Sequence, residues 1–191
     1  MCGKGKLIVI SGPSGVGKSS IVREVLARTG AVFGVSATTR RPRPGEVDGR
    51  EYHFVDRQTF EQMIARGELL EWAEVFGDYY GTPAKQVREA IDAGKTVILE
   101  IDIQGGLQVH EKYPDATFVL ILPPSEAELS RRLASRGTEA TRALQQRLAK
   151  AAEEIRTARD SGVYTHLVVN DDLERAIQEV VEIVTQESRQ P

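Results

Sequence analysis

The octapeptide Gly12-Pro-Ser-Gly-Val-Gly-Lys18-Ser19 constrains this chain more than any other feature, because it has the spacing G-x-x-x-x-G-K-[ST]. Ahead of it, residues 6–11 (KLIVIS) form a nearly continuous apolar run, the pattern of a strand buried on both faces of a parallel sheet. Behind it, residues 19–28 place Ile21, Val22, Val25 and Leu26 on one helical face. Strand, glycine turn and helix in that order gather backbone N–H groups around a phosphate at the positive end of the helix. The residues predicted to line it are Gly12, Pro13, Ser14, Gly15, Val16, Gly17, Lys18, Ser19 and Ser20. Lys18 brings a cation to the terminal phosphates, and the Ser19 hydroxyl suits Mg²⁺, whose other ligands would be phosphate and water. The segment therefore predicts ATP or GTP binding, with a plain glycine turn as the alternative.

Further strand-like runs occur at 31–36, 96–101, 116–122 and 164–169, separated by amphipathic helical stretches. Thr82-Pro83 suggests a cap and a first-turn proline. Ser125 and Glu128 suggest a capping box for a helix ending near Arg136-Gly137. Residues 140–159 make a long charged helix, and Asp171 or Asp172 caps the last one. This alternation predicts an α/β fold with a mainly parallel sheet. The core is expected over 1–35 and 95–191, with residues 36–94 as an inserted lobe that interrupts the alternation.

Composition narrows the function. A net charge of −3 gives no global basic field for nucleic-acid binding, so any attraction for anions must be local. Cys2 is the only cysteine, which excludes an intramolecular disulfide and a thiolate metal cage and fits a reducing compartment. His53, His110 and His166 lack metal-ligand spacing. The apolar run near the start is too short for a signal peptide or a membrane span, so a cytoplasmic protein without membrane contact is expected.

One local concentration of cations exists. Residues 36–45 carry Arg40, Arg41 and Arg43 on a segment stiffened by two prolines. Bidentate arginine–phosphate geometry makes this a clamp for a second phosphate, although a solvated basic loop has the same composition. In the same lobe lie Glu71-Trp72 and Asp78-Tyr-Tyr-Gly-Thr82. A carboxylate can accept both the N1–H and the N2 amino hydrogens of guanine, a donor pair that adenine lacks. By itself, Glu71 also reads as an exposed strand residue. Glu100-Ile-Asp102 ends a buried strand, where an acidic residue comes near the Mg²⁺–phosphate region; alternatively, Asp102 caps the following helix.

Taken together, GPSGVGKS, SATTRRPRPGEVDGREYHFV, ELLEWAEVFGDYYGTP, ILEIDIQG, RLASRGTE and VVNDDLE resemble the motifs of guanylate kinases, in that family's order and over nearly the whole chain. The resemblance implies a P-loop NTPase core with an inserted GMP-binding lobe and a helical lid at about 125–160. It implies transfer of the γ-phosphoryl group of ATP to GMP with Mg²⁺, and use of dGMP as well. Carried over by motif, Ser36, Glu71, Thr82 and Asp102 would contact the guanine. Arg40, Arg43, Tyr52 and Tyr80 would hold the GMP phosphate. Lys18, Arg40, Arg136 and Arg147 would act on the transferring group, and Asn170 would lie near the adenine. Thr82 stands where many members have serine, which keeps the hydroxyl.

Three other readings share parts of this pattern. Asp102-Ile-Gln-Gly105 matches the D-x-x-G of regulatory GTPases, but no N-K-x-D sequence accompanies it. A scaffold module built on the same lobe generally has a degraded phosphate loop, whereas Lys18 and Ser19 are intact. A nucleoside monophosphate kinase with another base preference is the third. Oligomeric state is left open between a monomer and a homo-oligomer.

Overall fold

The computed structural model describes residues 5–75, 77–134 and 141–189. Along the chain come β1 (Leu7–Ser11), α1 (Lys18–Thr29), β2 (Val32–Phe33), β3 (Ala37–Thr38) and β4 (His53–Phe54). Next are α2 (Arg57–Ala65), β5 (Leu69–Val75), β6 (Asp78–Pro83), α3 (Ala84–Asp92), β7 (Val97–Glu100) and α4 (Ile103–Lys112). The chain continues with β8 (Thr117–Leu122), α5 (Glu126–Ala134), α6 (Thr141–Asp160), β9 (His166–Val169) and α7 (Leu173–Arg189).

The first sheet has the order β2-β7-β1-β8-β9 and every pairing in it is parallel. β1 and β8, the two most continuous apolar runs, are buried along their whole length in its middle. Alternation then divides the core. Ile8, Ile10, Val119 and Ile121 pack with Ile21, Val25, Ile177 and Val180 of α1 and α7. Leu7, Val9, Phe118 and Leu120 pack on the other face with Val87, Ile103, Val109 and Ala158, contributed by α3, α4 and α6. Truncating Leu120 to alanine here would cost about 2–5 kcal/mol, since packed neighbours close a cavity only in part. Because the strands are parallel, Ser11, Glu100, Leu122 and Val169 all end at one edge, where an open α/β sheet forms its ligand crevice.

The second sheet runs β4-β3-β6-β5, with β3–β4 parallel and the other pairs antiparallel. It has its own small core of Ala37, Phe60 and Leu69, and the Phe60 and Tyr79 rings stack at 5.3 Å. α5 and the start of α6 close on a third cluster, Leu129, Leu133 and Ala151 with Leu144 and Leu148. Among the described residues, no helix is long and apolar enough to cross a membrane.

Four local expectations need correction. The run at 31–36 is not one strand: Val32–Phe33 pair with β7, and the chain then crosses to the second sheet as Ala37–Thr38. The run at 164–169 is strand only from His166, because Tyr164 turns into the core. Thr82 does not cap α3; it is a buried residue of β6, and Pro83 takes the N-cap position. Ser125 does cap α5 by accepting from the Glu128 N–H at 3.1 Å, but the Glu128 carboxylate turns to Arg131 and Arg132 instead of closing the box.

Candidate active site

At the carboxyl edge of the first sheet, residues 12–17 turn out of β1 into α1. Gly15 and Gly17 have φ of 85° and 101°, which side chains with a Cβ rarely adopt. Gly17 is the N-cap of α1 and supplies no side chain to it, so the first-turn N–H groups face the loop instead of a capping oxygen. The Lys18 ammonium curls over this turn and donates to the Gly12 and Pro13 carbonyls at 2.6 and 3.1 Å. Ser19 Oγ donates to Glu100 Oε1 at 2.6 Å, joining the start of α1 to the end of β7.

Asn170, expected beside a base, is buried and donates from Nδ2 to the Val16 carbonyl at 2.8 Å. Its backbone carbonyl accepts from Arg132 Nη2 at 3.0 Å, and Arg132 Nε donates to Glu128 Oε1 at 2.7 Å. Hydrogen bonds from Arg131 and Arg132 hold the Glu128 carboxyl down at about 2. Gly15, Gly17, Ser20, Arg132, Asn170 and Leu173 line a groove of about 440 Å³ beside the loop. Sequence reasoning misses Arg132; its only local signal is the i,i+4 pairing with Glu128. Arg147, on α6, reaches the loop directly, with Nη2 3.1 Å from Ser14 Oγ. Arg136 lies outside the described residues.

The second sheet brings together a different set. Thr82 Oγ1 donates to Glu71 Oε1 at 2.6 Å and lies 3.3 Å from Ser36 Oγ, a buried chain of two hydroxyls and a carboxylate drawn from β6, β5 and the segment before β3. Glu71 is 4% exposed, which rules out the exposed-strand alternative. Burial, aided by the nearby Asp102 charge, pushes its carboxyl up to about 7, against the pull of the Thr82 hydrogen bond. Asp102 does cap α4, accepting from the Gly105 N–H at 2.7 Å, so the D-x-x-G spacing has a local cause.

The arginine loop is ordered by an acid that sequence reasoning also misses. Glu46 takes both Nη atoms of Arg40 at 2.9 and 3.0 Å, and the Arg43 N–H at 2.6 Å. The Arg40 guanidinium carbon also lies 5.5 and 5.8 Å from the Tyr52 and Phe54 ring centres. Tyr52 meets Tyr80 edge-on at 6.0 Å, and burial raises the Tyr52 hydroxyl pKa. Arg43 is exposed, with its backbone N–H tied to Glu46. Arg40, Tyr52 and Tyr80 thus converge, while the Glu71 chain forms a separate buried wall.

A family model described as guanylate kinase matches residues 4–187. The guanylate kinase of Symbiobacterium thermophilum is 52% identical over 185 residues, covering 96% of this chain and 86% of the relative. That of Carboxydothermus hydrogenoformans is 49% identical over 189 residues, covering 98% and 91%. The crystal structure of guanylate kinase from Anaplasma phagocytophilum superposes with a TM-score of 0.80 at 34% identity, covering 98% of this chain and 88% of that one. A gluconokinase from Sinorhizobium meliloti 1021 shares the fold, with a TM-score of 0.54 at 17% identity.

Proposed function

Since the chain belongs to the guanylate kinase family, and is an ATP-dependent nucleoside monophosphate kinase, we propose that it transfers the γ-phosphoryl group of ATP to GMP, or to dGMP, in the presence of Mg²⁺. The observation that carries the base assignment is the buried Ser36–Thr82–Glu71 chain. An ionised Glu71 accepts the N1 and N2 donors of guanine, and Asp102 lies close enough to add its charge to the same wall. Adenine would leave that carboxylate without donors, a mismatch far more costly than a poor fit of shape.

Phosphoryl transfer needs alignment and charge compensation more than covalent help. ATP lies over residues 12–20, its phosphates facing the α1 amides and Lys18. Its adenine enters the groove beside Asn170. The GMP phosphate is held by Arg40, Arg43, Tyr52 and Tyr80, with Glu46 fixing the pose of Arg40 beforehand. No general base is required, because a phosphate dianion is already an adequate nucleophile. Arg147 and Arg136 offset charge on the transferring group as the α5–α6 lid closes over the core, which also excludes water.

The oxygen donors near Ser19 suit a hard cation: the hydroxyl is 2.6 Å from the Glu100 carboxylate. Among the described residues, no group of three or more His, Cys, Asp or Glu could hold a metal. Ser19 would therefore hold Mg²⁺ together with the nucleotide phosphates, with Glu100 behind it. When bound, the ion supplies charge neutralisation at those phosphates. The lack of a global basic field and the single cysteine support a cytoplasmic enzyme without nucleic-acid or membrane partners. The test is ADP formation from ATP with GMP, dGMP, AMP, CMP, UMP and dTMP offered in turn, with and without chelator. Strong turnover with GMP and dGMP alone is expected, and equal turnover with AMP would contradict it.

A further inference from the structure

Helix α4 carries two glycines in its first turn, Gly105 and Gly106, each of which weakens a helix relative to alanine. Neither has a positive φ, so the demand is for space. Gly106 makes room for the Tyr164 hydroxyl in the main core. Gly105 faces elsewhere. A Cβ on it would lie 2.7 Å from Glu71 Oε2, closer than real Cβ atoms come, and 3.1 Å from the Glu71 carboxyl carbon, tighter than most such contacts. One turn along, Gln108 Nε2 donates to the Trp72 carbonyl at 2.9 Å, and its Oε1 accepts from the Trp72 N–H at 3.2 Å. A further turn along, Lys112 Nζ donates to the Leu69 and Leu70 carbonyls at 3.1 and 2.6 Å.

Positions 105, 108 and 112 are three and four apart, so they lie along one face of α4. The backbone groups that Gln108 and Lys112 take, at 69, 70 and 72, flank Glu71 on both sides. The carboxylate itself lies against the first turn of α4, where the helix field favours an anion. We propose that this face of α4 is the positioning platform for the base-reading carboxylate, with Gly105 as a specificity-determining position because only a bare Cα lets Glu71 reach its place. The proposal rests on Glu71 reading the base, as argued above. It also explains how two distant parts of the reaction keep their spacing. α4 follows β7 after two residues, and the last residue of β7, Glu100, accepts from Ser19, so the β7–α4 unit touches the phosphate end through Glu100 and the base reader through α4.

The test uses the full chain as Gly105→Ala, Glu71→Asp, the two combined, Lys112→Met and Glu71→Gln. Substrates are GMP and inosine 5′-monophosphate, which lacks the 2-amino donors; ATP affinity is read by calorimetry. Gly105→Ala should lower kcat/KM for GMP by about tenfold or more, mainly through KM, and shrink the preference for GMP over the inosine nucleotide by a similar factor. Its ATP affinity should stay within about twofold of the parent, because no phosphate-loop contact changes. In the combined variant the shorter side chain introduced by Glu71→Asp clears the added methyl, so GMP efficiency should exceed the product of the two single losses. Lys112→Met, which adds no bulk, should raise the KM for GMP about threefold or more with ATP affinity unchanged, and it carries the test if Gly105→Ala does not fold.

A folded Gly105→Ala that kept GMP efficiency and base preference within about twofold would overturn the proposal, as would a combined variant showing the simple product of losses. Glu71→Gln separates the two layers. If it lost GMP efficiency while Gly105→Ala did not, only the platform would fall; if it kept GMP efficiency, the reading of Glu71 would fall with it.

Discussion

Thr82 Oγ1 stands 2.6 Å from Glu71 Oε1, and this one hydrogen bond settles which way the buried carboxylate points. A threonine hydroxyl has a single proton, so donating it to Glu71 leaves its lone pairs for Ser36, 3.3 Å away. The wall therefore presents acceptors, which suits the donor edge of guanine.

Glu71 makes stability depend on pH in a definite direction. Its carboxyl is raised from 4.5 to about 7 in the folded chain, so the fold holds a proton that the unfolded chain releases. Stability contributed here falls as pH rises from about 4.5 to about 7, reaching a cost of about 3 kcal/mol above that window. Glu71→Gln should lose this slope and be more stable than the parent at about pH 8. Urea unfolding of both proteins across the window checks it; parallel pH profiles would count against the assignment.

The proposed base contact ties substrate use to the same ionisation. On the proposed reading guanine needs the charged form of Glu71, so KM for GMP should rise as pH falls below about 7. Ionisation of the GMP phosphate at about 6 adds a second slope. Only the Glu71 part should vanish in Glu71→Gln, and initial-rate pH profiles of the two proteins separate them.

Lys18→Met should fold normally yet lose about three orders of magnitude or more in kcat, because the missing cation acts mainly on charge developing in transfer. A melting curve with single-turnover rates tests this. Near-normal turnover by the folded variant would remove Lys18 from the mechanism.

Glu46 is expected to act through Arg40, which it holds by two hydrogen bonds in a half-buried pair. Glu46→Gln should raise KM for GMP by about tenfold while leaving ATP affinity unchanged. An equal loss of ATP binding would show a general structural defect.

Arg147, already within 3.1 Å of Ser14, should matter to the closed state more than to GMP capture. Arg147→Ala should depress kcat about a hundredfold or more with GMP affinity within a few-fold, and Arg136→Ala should behave alike. Weakened GMP binding with unchanged turnover would make these arginines ground-state ligands instead.

The parallel core is legible in the sequence because β1 and β8 are unbroken apolar runs, and the phosphate loop because its glycines and Lys18 have fixed spacing. The burial of Glu71 is not. Leu69, Leu70 and Glu71 are buried in succession where strand alternation would expose one of them, because the register of β5 against β6 shifts between Leu69 and Trp72 and α4 covers the Glu71 carboxyl there. Thr82 reads as a cap since Thr-Pro before a helix commonly is one; its partner Glu71 is eleven residues away and no local pattern reveals it. Glu46 and Arg132 are hidden for a related reason. Glu46 binds within its own irregular loop, to Arg40 and the Arg43 N–H, where no helical or strand period marks the pairing, and Arg132 acts on the distant Val16 and Asn170 carbonyls.

Base choice by Glu71 is tested most directly by steady-state kinetics of Glu71→Gln with GMP and AMP, alongside ATP affinity by calorimetry. The glutamine is nearly isosteric but turns one acceptor into a donor, so kcat/KM for GMP should fall by about a hundredfold or more. ATP affinity should hardly move, and AMP should remain a poor substrate because Ser36, Thr82 and Asp102 are still in place. A variant that kept its GMP efficiency within a few-fold of the parent, or that lost ATP and GMP binding together, would contradict the assignment.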